Sequence, residues 1–338
     1  MKKALVTGGG GFVGSYIVRQ LLEQGIECLV VGRNKYPEIE SLGARCLCGD
    51  ICDLSFLKES FSGVDTVFHV AALAGIWGPW ENYYQVNVVG TANVIKACKS
   101  NDVSSLVYTS TPSVVFNGSD IVDGNESLPY AQKFLCNYAK SKVMAEKLVL
   151  ENTGRDSTFH SCAIRPHLVW GPGDPHLIPR LLDRGRKGEL KKIGNCDNLV
   201  DISYVENVAD AHLLAAANLE TTKSASGKAY FISQGEPVNL WEWIDELFRE
   251  MNVPQIRNRV PFSVAYCAGA VFEGVHHLFS IKQEPKMTRF LAEQLAKSHC
   301  FSISRAKHDL GYMPQISSAE GMERLQKSYL ENQENQQQ

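Results

Sequence analysis

The chain has no block of basic residues, no internal repeat, no long flexible linker and no uninterrupted apolar run long enough to cross a bilayer. Each absence removes a class of function. With 34 lysines and arginines against 37 acids, the formal charge is −3, so nucleic acid is not an expected partner. The longest apolar segment, 261-PFSVAYCAGAVFEGVHHLFSI-281, is interrupted by Glu273, His276 and His277, which argues against a spanning helix. It reads first as a core helix of a second lobe. A lid over an apolar substrate and a peripheral membrane contact through 261–281 are the other readings. Met1 is followed almost at once by an apolar strand, which leaves no room for a signal peptide and points to the cytoplasm, with membrane association through that one segment. The ten cysteines do not form a recognisable metal set, because Cys46, Cys48 and Cys52 lack a clear fourth ligand. No metal is expected, and the thiols read as reduced.

What is present is an ordinary globular composition, 44% hydrophobic and 21% charged over 338 residues. That length suits one large α/β domain with an appended lobe, or two domains. Short apolar runs alternate with helical patterns through the first half. Strands are expected at Ala4–Thr7, Cys28–Val31, Arg45–Cys48, Thr66–Val70, Ser105–Thr109 and Ser161–Arg165. Helices are expected near Phe12–Gln24, Leu54–Phe61, Glu81–Ser100 and Asn137–Glu151. This alternation predicts βαβ units and a doubly wound parallel sheet. It fades after 171-GPGDP-175, where helices near Pro179–Arg186, Val208–Leu219, Leu240–Met251 and Ala319–Leu330 surround strands near Val200–Tyr204 and Ala229–Ile232. Residues 1–170 therefore read as a nucleotide-binding domain, completed by elements from 200–233. Residues 171–330 read as a smaller mixed α/β substrate lobe, and 331–338 as a disordered polar tail.

Between the first strand and first helix stands 7-TGGGGFVG-14, spaced Gly8-x-x-Gly11-x-x-Gly14. Gly8 permits the tight exit, Gly11 lets a diphosphate approach the main chain, and Gly14 lets the helix pack on the sheet. The amides of Phe12 and Val13 would then face phosphate oxygens. Glycines also make ordinary turns, and it is the strand–turn–helix setting that gives this pattern its meaning. The second strand ends in 29-LVVGRNKYP-37, with no carboxylate before Glu38 to accept from a ribose 2′-hydroxyl. Arg33 instead suits a 2′-phosphate, with Lys35 assisting, so NADP is expected ahead of NAD. After the third strand, Asp50 and Ile51 are placed to meet adenine.

Tyr138 and Lys142 in 138-YAKSK-142 are four residues apart and share one helical face. A free tyrosine titrates at about 10, and a nearby ammonium would favour its phenolate. Such a pair is common on helices by chance. The strand end 107-VYTSTPSV-114 adds Thr111 or Ser110 as a donor to a substrate carbonyl, unless these hydroxyls only satisfy their own turn.

Together with 69-HVAA-72, 87-NVVGT-91, 165-RPHLVWGPGD-174 and 201-DISYVENVADAH-212, these pieces resemble the extended short-chain dehydrogenase/reductase superfamily over nearly the whole chain. Within it the chain is similar to the 3β-hydroxysteroid dehydrogenase/isomerase family. The resemblance implies a Rossmann-type fold and ketone reduction, with NADPH as hydride donor. It makes Tyr138 the proton donor or acceptor, and Lys142 the group that lowers its pKa and holds the nicotinamide ribose. It puts Thr111 at the family's serine position, a departure that keeps the hydroxyl. It sets Ala71 and Pro166 beside the coenzyme and Asn87 behind the active-site helix.

The implied substrate is small and apolar, a 2-alkyl-3-oxoalkanoate ahead of a 3β-hydroxysteroid or sterol 4α-carboxylate. Aromatic material for such a ligand includes Trp77, Trp80, Tyr83, Tyr84, Phe262, Tyr266, Phe272 and Phe279, all of which also suit plain core packing. Arg180, Arg184 and Arg289 are candidate partners for a substrate carboxylate, and each also reads as a surface residue. A nucleotide-sugar epimerase or dehydratase shares the fold, and a non-catalytic NADP sensor is the rival outside enzymology. The resemblance also implies a homodimer through helices Glu81–Ser100 and Asn137–Glu151.

Overall fold

The computed structural model describes residues 1–153 and 158–337. Seven strands form one parallel sheet: β1 (Lys3–Thr7), β2 (Glu27–Gly32), β3 (Arg45–Cys48), β4 (Thr66–His69), β5 (Ser105–Thr109), β6 (His160–Pro166) and β7 (Ala229–Ile232). Their order is β7-β6-β5-β4-β1-β2-β3. Leu5, Val6, Val30, Val31, Val67 and Val107 have no exposure, as expected of strands covered on both faces. One layer of helices includes Phe12–Glu23 and Val205–Glu220, whose Ile17, Leu21, Val208 and Ala215 share a core. The other includes Gly90–Ser100 and Asn137–Glu151, which contribute Val94, Ala97, Ala145 and Val149.

The chain winds outward from β1 to β3, then returns to β4 on the opposite side of β1. Thr7 pairs with both Val31 and His69, so the carboxyl ends of β2, β1 and β4 are level. A crevice opens where the winding direction reverses, the place such sheets bind ligands. The glycine turn leaves β1 directly into it.

Several boundaries differ from expectation. The helix foreseen over Glu81–Ser100 is α-helical at Trp80–Tyr83, a π-helix at Tyr84–Val89, and α-helical again at Gly90–Ser100. The strand foreseen at Val200–Tyr204 splits into Leu199–Val200 and Ser203–Tyr204, which pair in different sheets. A second sheet orders Val238–Asn239, Leu199–Val200, His299–Phe301 and Ile121–Gly124, so an early segment pairs with strands from the second half of the chain. The helix Ser318–Gln337 takes in most of the stretch expected to be disordered, and residue 338 lies outside the described residues.

The largest correction concerns 261–281. Helix Phe262–Leu278 buries only Ala265, Gly269 and Glu273. Val264, Val271, Val275 and Leu278 remain exposed, so it is no core helix. A Cβ on Gly269 would lie 2.6 Å from the Thr288 carbonyl carbon, so the chain near Thr288 is close enough to pack only on a narrow stripe. No helix among the described residues is long and apolar enough to cross a membrane.

Helix Asn137–Glu151 is fixed to the sheet by charge. The Arg165 guanidinium on β6 donates to both oxygens of Glu146, with Nε to Oε2 at 3.0 Å and the second bond from Nη2 to Oε1 at 2.5 Å. The Tyr130 hydroxyl donates to the same carboxylate at 2.7 Å. Glu146 has no exposure and Arg165 only 3%. Removing one partner strands the other charge in the interior, a loss of about 3–5 kcal/mol. Arg165→Leu is therefore expected to lower unfolding stability by that amount in a urea titration, and an unchanged midpoint would contradict this packing.

Candidate active site

Gly8 leaves β1 with φ of 70°. A Cβ on Gly14 would lie 2.2 Å from the Gly8 carbonyl oxygen, so only glycine lets the helix start this close to the strand. Gly11 caps helix Phe12–Glu23 without a side-chain hydrogen bond, and no acid stands in the first turn. The free amides and the positive helix end are left for an anion.

Around this turn lies a cleft of about 550 Å³. Gly8, Gly11, Phe12, Val13, Gly14, Arg33, Asp50, Ile51, Ala71, Tyr138 and Lys142 all line it. The expected nucleotide and catalytic residues, separated by more than a hundred positions in sequence, thus meet in one place. Pro166 and Thr111 are the exceptions: Pro166 ends β6 and pairs with Ile232, Thr111 follows the lining residues Thr109 and Ser110, and neither is in the wall. Lys35 lines a neighbouring hollow instead.

Four lining residues carried a weaker sequence signal. Gly32, at the end of β2, leaves no side chain where a carboxylate would hold a ribose. Tyr36 folds across the turn, since a Cβ on either Gly10 or Gly32 would collide with its ring. Asp174 accepts hydrogen bonds from the amides of His176, Leu177 and Ile178, at 2.8, 3.2 and 2.8 Å, and so fixes the loop after 171-GPGDP-175. The Tyr16 hydroxyl donates to the Pro172 carbonyl at 2.9 Å, drawing that loop against the first helix and bringing His176 to the cleft. Only the density of glycine and proline there hinted at such a loop.

At the far end, Tyr138 opens helix Asn137–Glu151. Burial pushes its phenol above the ordinary value, Cys136 adds to the rise, and the adjacent Thr111 hydroxyl pulls it down. Thr111 also caps the short turn Pro112–Val114 by accepting from the Ser113 amide at 3.2 Å. Ser110 lines the cleft, and its buried hydroxyl has no hydrogen-bond partner among the described residues. That unsatisfied donor is what a site for a polar ligand leaves behind.

Lys142 differs from expectation. Its Nζ donates to the Thr109 carbonyl at 2.6 Å and stands 4.1 Å from the Tyr108 ring centroid. Burial pushes its pKa down to about 7, against the pull of Glu146 one turn on. Burial is the largest influence on the Tyr138 phenol, while the Lys142 ammonium is held by the carbonyl at the end of β5.

A polar layer holds these groups. Asn87, on the π-helix, accepts from the Leu73 amide at 2.7 Å and donates to the Leu73 carbonyl at 3.0 Å. It also donates to Ser141 Oγ at 2.9 Å, and Ser141 donates to the Tyr138 carbonyl at 2.8 Å. The extra residue of a π turn directs Asn87 inward, a placement common at working sites. The three thiols once weighed as zinc ligands lie near separate backbone carbonyls, of Tyr36, Arg33 and Gln85.

A second cavity of about 520 Å³ adjoins the cleft, with Cys136 and Asn137 in its wall just before Tyr138. Trp77, Trp80 and Arg289 line it. Arg180 is paired with Glu284, and Arg184 donates to the Lys286 carbonyl. Of the other aromatic candidates, Tyr83 is buried and bonded to the Gly75 and Trp77 carbonyls, and Tyr84 is partly exposed. Phe262 and Tyr266 pack on the second-lobe core, and Phe272 and Phe279 are exposed.

A glycine-cradled cleft ending at a half-buried tyrosine beside a buried lysine and hydroxyl defines a Rossmann-type oxidoreductase. The chain belongs to the 3-beta hydroxysteroid dehydrogenase/isomerase family, which its residues 5–263 match. It is 47% identical to a 2-alkyl-3-oxoalkanoate reductase of Shewanella oneidensis, over 96% of this chain and 86% of that protein. It is 36% identical to the decarboxylating sterol-4-alpha-carboxylate 3-dehydrogenase of Mus musculus, over 97% of this chain and 91% of the relative. The solved structure of MoeE5 in complex with UDP-glucose and NAD shares the fold, with a TM-score of 0.75 and 24% identity over 98% of this chain and 99% of the other.

Gly11 offers a clean test of the cleft. Its φ of −88° suits any residue, and an added Cβ would meet only the Gly8 carbonyl oxygen, at 3.2 Å. Gly11→Ala should fold with a nearly unchanged unfolding midpoint yet bind its reduced nicotinamide dinucleotide at least about tenfold more weakly by fluorescence titration, because a methyl then stands where a diphosphate would meet the amides. Unchanged affinity would remove the diphosphate from this turn.

Proposed function

We propose that the protein is an NADP-dependent reductase that converts the 3-oxo group of a 2-alkyl-3-oxoalkanoate into a 3-hydroxyl. The observation that carries this reading is Tyr138: its phenol adjoins the Thr111 hydroxyl, it lines the cleft, and the residues just before it line the tryptophan-walled second cavity. A bound nicotinamide dinucleotide supplies the hydride. Tyr138 keeps its proton at neutral pH, because burial holds it neutral, and so acts as an acid towards a developing alkoxide. Thr111 and the unpaired Ser110 hydroxyl are the donors that steady the same oxygen. Lys142, held by the Thr109 carbonyl, is positioned to donate to ribose hydroxyls.

NADP is favoured over NAD by the end of β2. Gly32 presents no carboxylate, and Arg33 lines the cleft beside it. The Cys48 thiol donates to the Arg33 carbonyl at 3.3 Å and fixes the main chain there. A charge-assisted contact from Arg33 to a 2′-phosphate corresponds to about 10- to 100-fold in affinity.

Two experiments test the reading. Tyr138→Phe should lower kcat on a 2-alkyl-3-oxoalkanoate by about 10²–10⁴ while leaving NADPH binding intact, since the phosphate contacts lie elsewhere. Near-normal turnover would overturn the assignment. Arg33→Ser should weaken NADPH binding by about 10- to 100-fold with little change for NADH. An equal effect on both coenzymes would return the choice to NAD.

A further inference from the structure

The second cavity combines apolar walls with positive charge. Trp77 and Trp80, from the stretch after β4, and Phe134 and Leu135, just before the helix that carries Tyr138, line one part of it. Helix Phe262–Leu278 and the segment after it bring Lys282 and Arg289 to the same space. Among the described residues that line it, Glu273 is the one acid, and it is already engaged. Its Oε2 accepts from Arg289 Nε at 2.7 Å, and its Oε1 accepts from the Arg289 main-chain amide at 2.7 Å.

That engagement orients the arginine. Glu273 is buried, with 8% side-chain exposure, while the Arg289 side chain keeps 39%. A guanidinium carries five N–H donors in a planar fork, and Glu273 takes only the one on Nε. The Tyr266 phenol lies against the same group. Donors remain on the terminal nitrogens. Arg289 is also anchored near the chemistry: its neighbour Phe290 is in the cluster of Phe116, Cys136 and Ala139, against which Tyr138 packs. Arg180 and Arg184, paired elsewhere, are not in the wall.

We propose that Arg289, braced by Glu273, binds the carboxylate of the substrate and makes the enzyme selective for 3-oxo acids over neutral ketones. The inference rests on ketone reduction at Tyr138. A carboxylate two bonds from the ketone carbon lies within a few ångströms of the Tyr138 hydroxyl whenever the ketone is in place, and the tryptophan-lined wall takes an alkyl chain. A fork-shaped cation matches the two oxygens of a carboxylate. A neutral 3-ketosteroid has nothing to offer it.

The test compares a 2-alkyl-3-oxoalkanoate with its methyl ester, which keeps both chains and loses the charge. The wild-type enzyme should prefer the acid in kcat/KM. Arg289→Gln should lower kcat/KM for the acid by about 10- to 100-fold, mostly through KM, with the ester changed less than threefold. NADPH affinity should stay constant and so report an intact fold. If Arg289→Gln fails to fold because Glu273 is left unpaired, Arg289→Lys, which keeps charge and loses the fork, should still narrow the acid-to-ester ratio. Equal losses on both substrates, no loss on the acid, or a wild-type enzyme indifferent to the charge would each overturn the role of Arg289. A wild-type enzyme that reduces neither substrate despite binding NADPH would overturn the underlying reductase reading instead.

Discussion

The site depends on one face of one helix being driven into the interior. Tyr138, Lys142 and Glu146 follow one another at successive turns of Asn137–Glu151, and each is a polar group that water would ordinarily hold at the surface. Glu146 can be buried because Arg165 on β6 meets it with two hydrogen bonds. With that end secured, Lys142 lies over the sheet with its charge only partly compensated and its pKa near neutrality. Tyr138, at the opening of the helix, is buried enough to keep its proton.

The sheet supplies the rest of the geometry. Its winding reverses between β1 and β4, and the crevice receives the glycine turn from one side and the hydroxyls of β5 from the other. The π turn at Tyr84–Val89 then lets Asn87 bind both the Leu73 backbone and Ser141, which joins the loop after β4 to the active-site helix. The coenzyme cleft and the apolar cavity therefore share the start of that helix as a common wall.

Much of this was legible because it is local. Apolar runs bounded by turn residues place six of the seven large-sheet strands in the first half, and β7 was marked by 229-AYFI-232. The spacing of Gly8, Gly11 and Gly14 and that of Tyr138 and Lys142 express a turn and a helical face directly. What escaped is what needs distant partners. Tyr36 packs over Gly10 and Gly32 by tertiary contact alone. Ile121–Gly124 finds its sheet nearly two hundred residues on, beside His299–Phe301. The apolar composition of 262–278 suggested burial, yet composition cannot say which face packs. There the fully buried positions are Ala265, Gly269 and Glu273, with Phe262 and Tyr266 partly buried beside them, while the valines face outward. Lys142 pointed to Tyr138 by spacing, and its hydrogen bond goes to the carbonyl of Thr109.

The account stands on hydride arriving at a ketone carbon held against Tyr138. The most direct measurement is isotopic: reduce a 2-alkyl-3-oxoalkanoate with NADPH carrying deuterium at the transferable position of the nicotinamide, and locate the label in the product by mass spectrometry. The predicted result is one deuterium bound to carbon 3 of the hydroxy acid. Product formed with no label at that carbon, or loss of the coenzyme's deuterium to solvent, would contradict it.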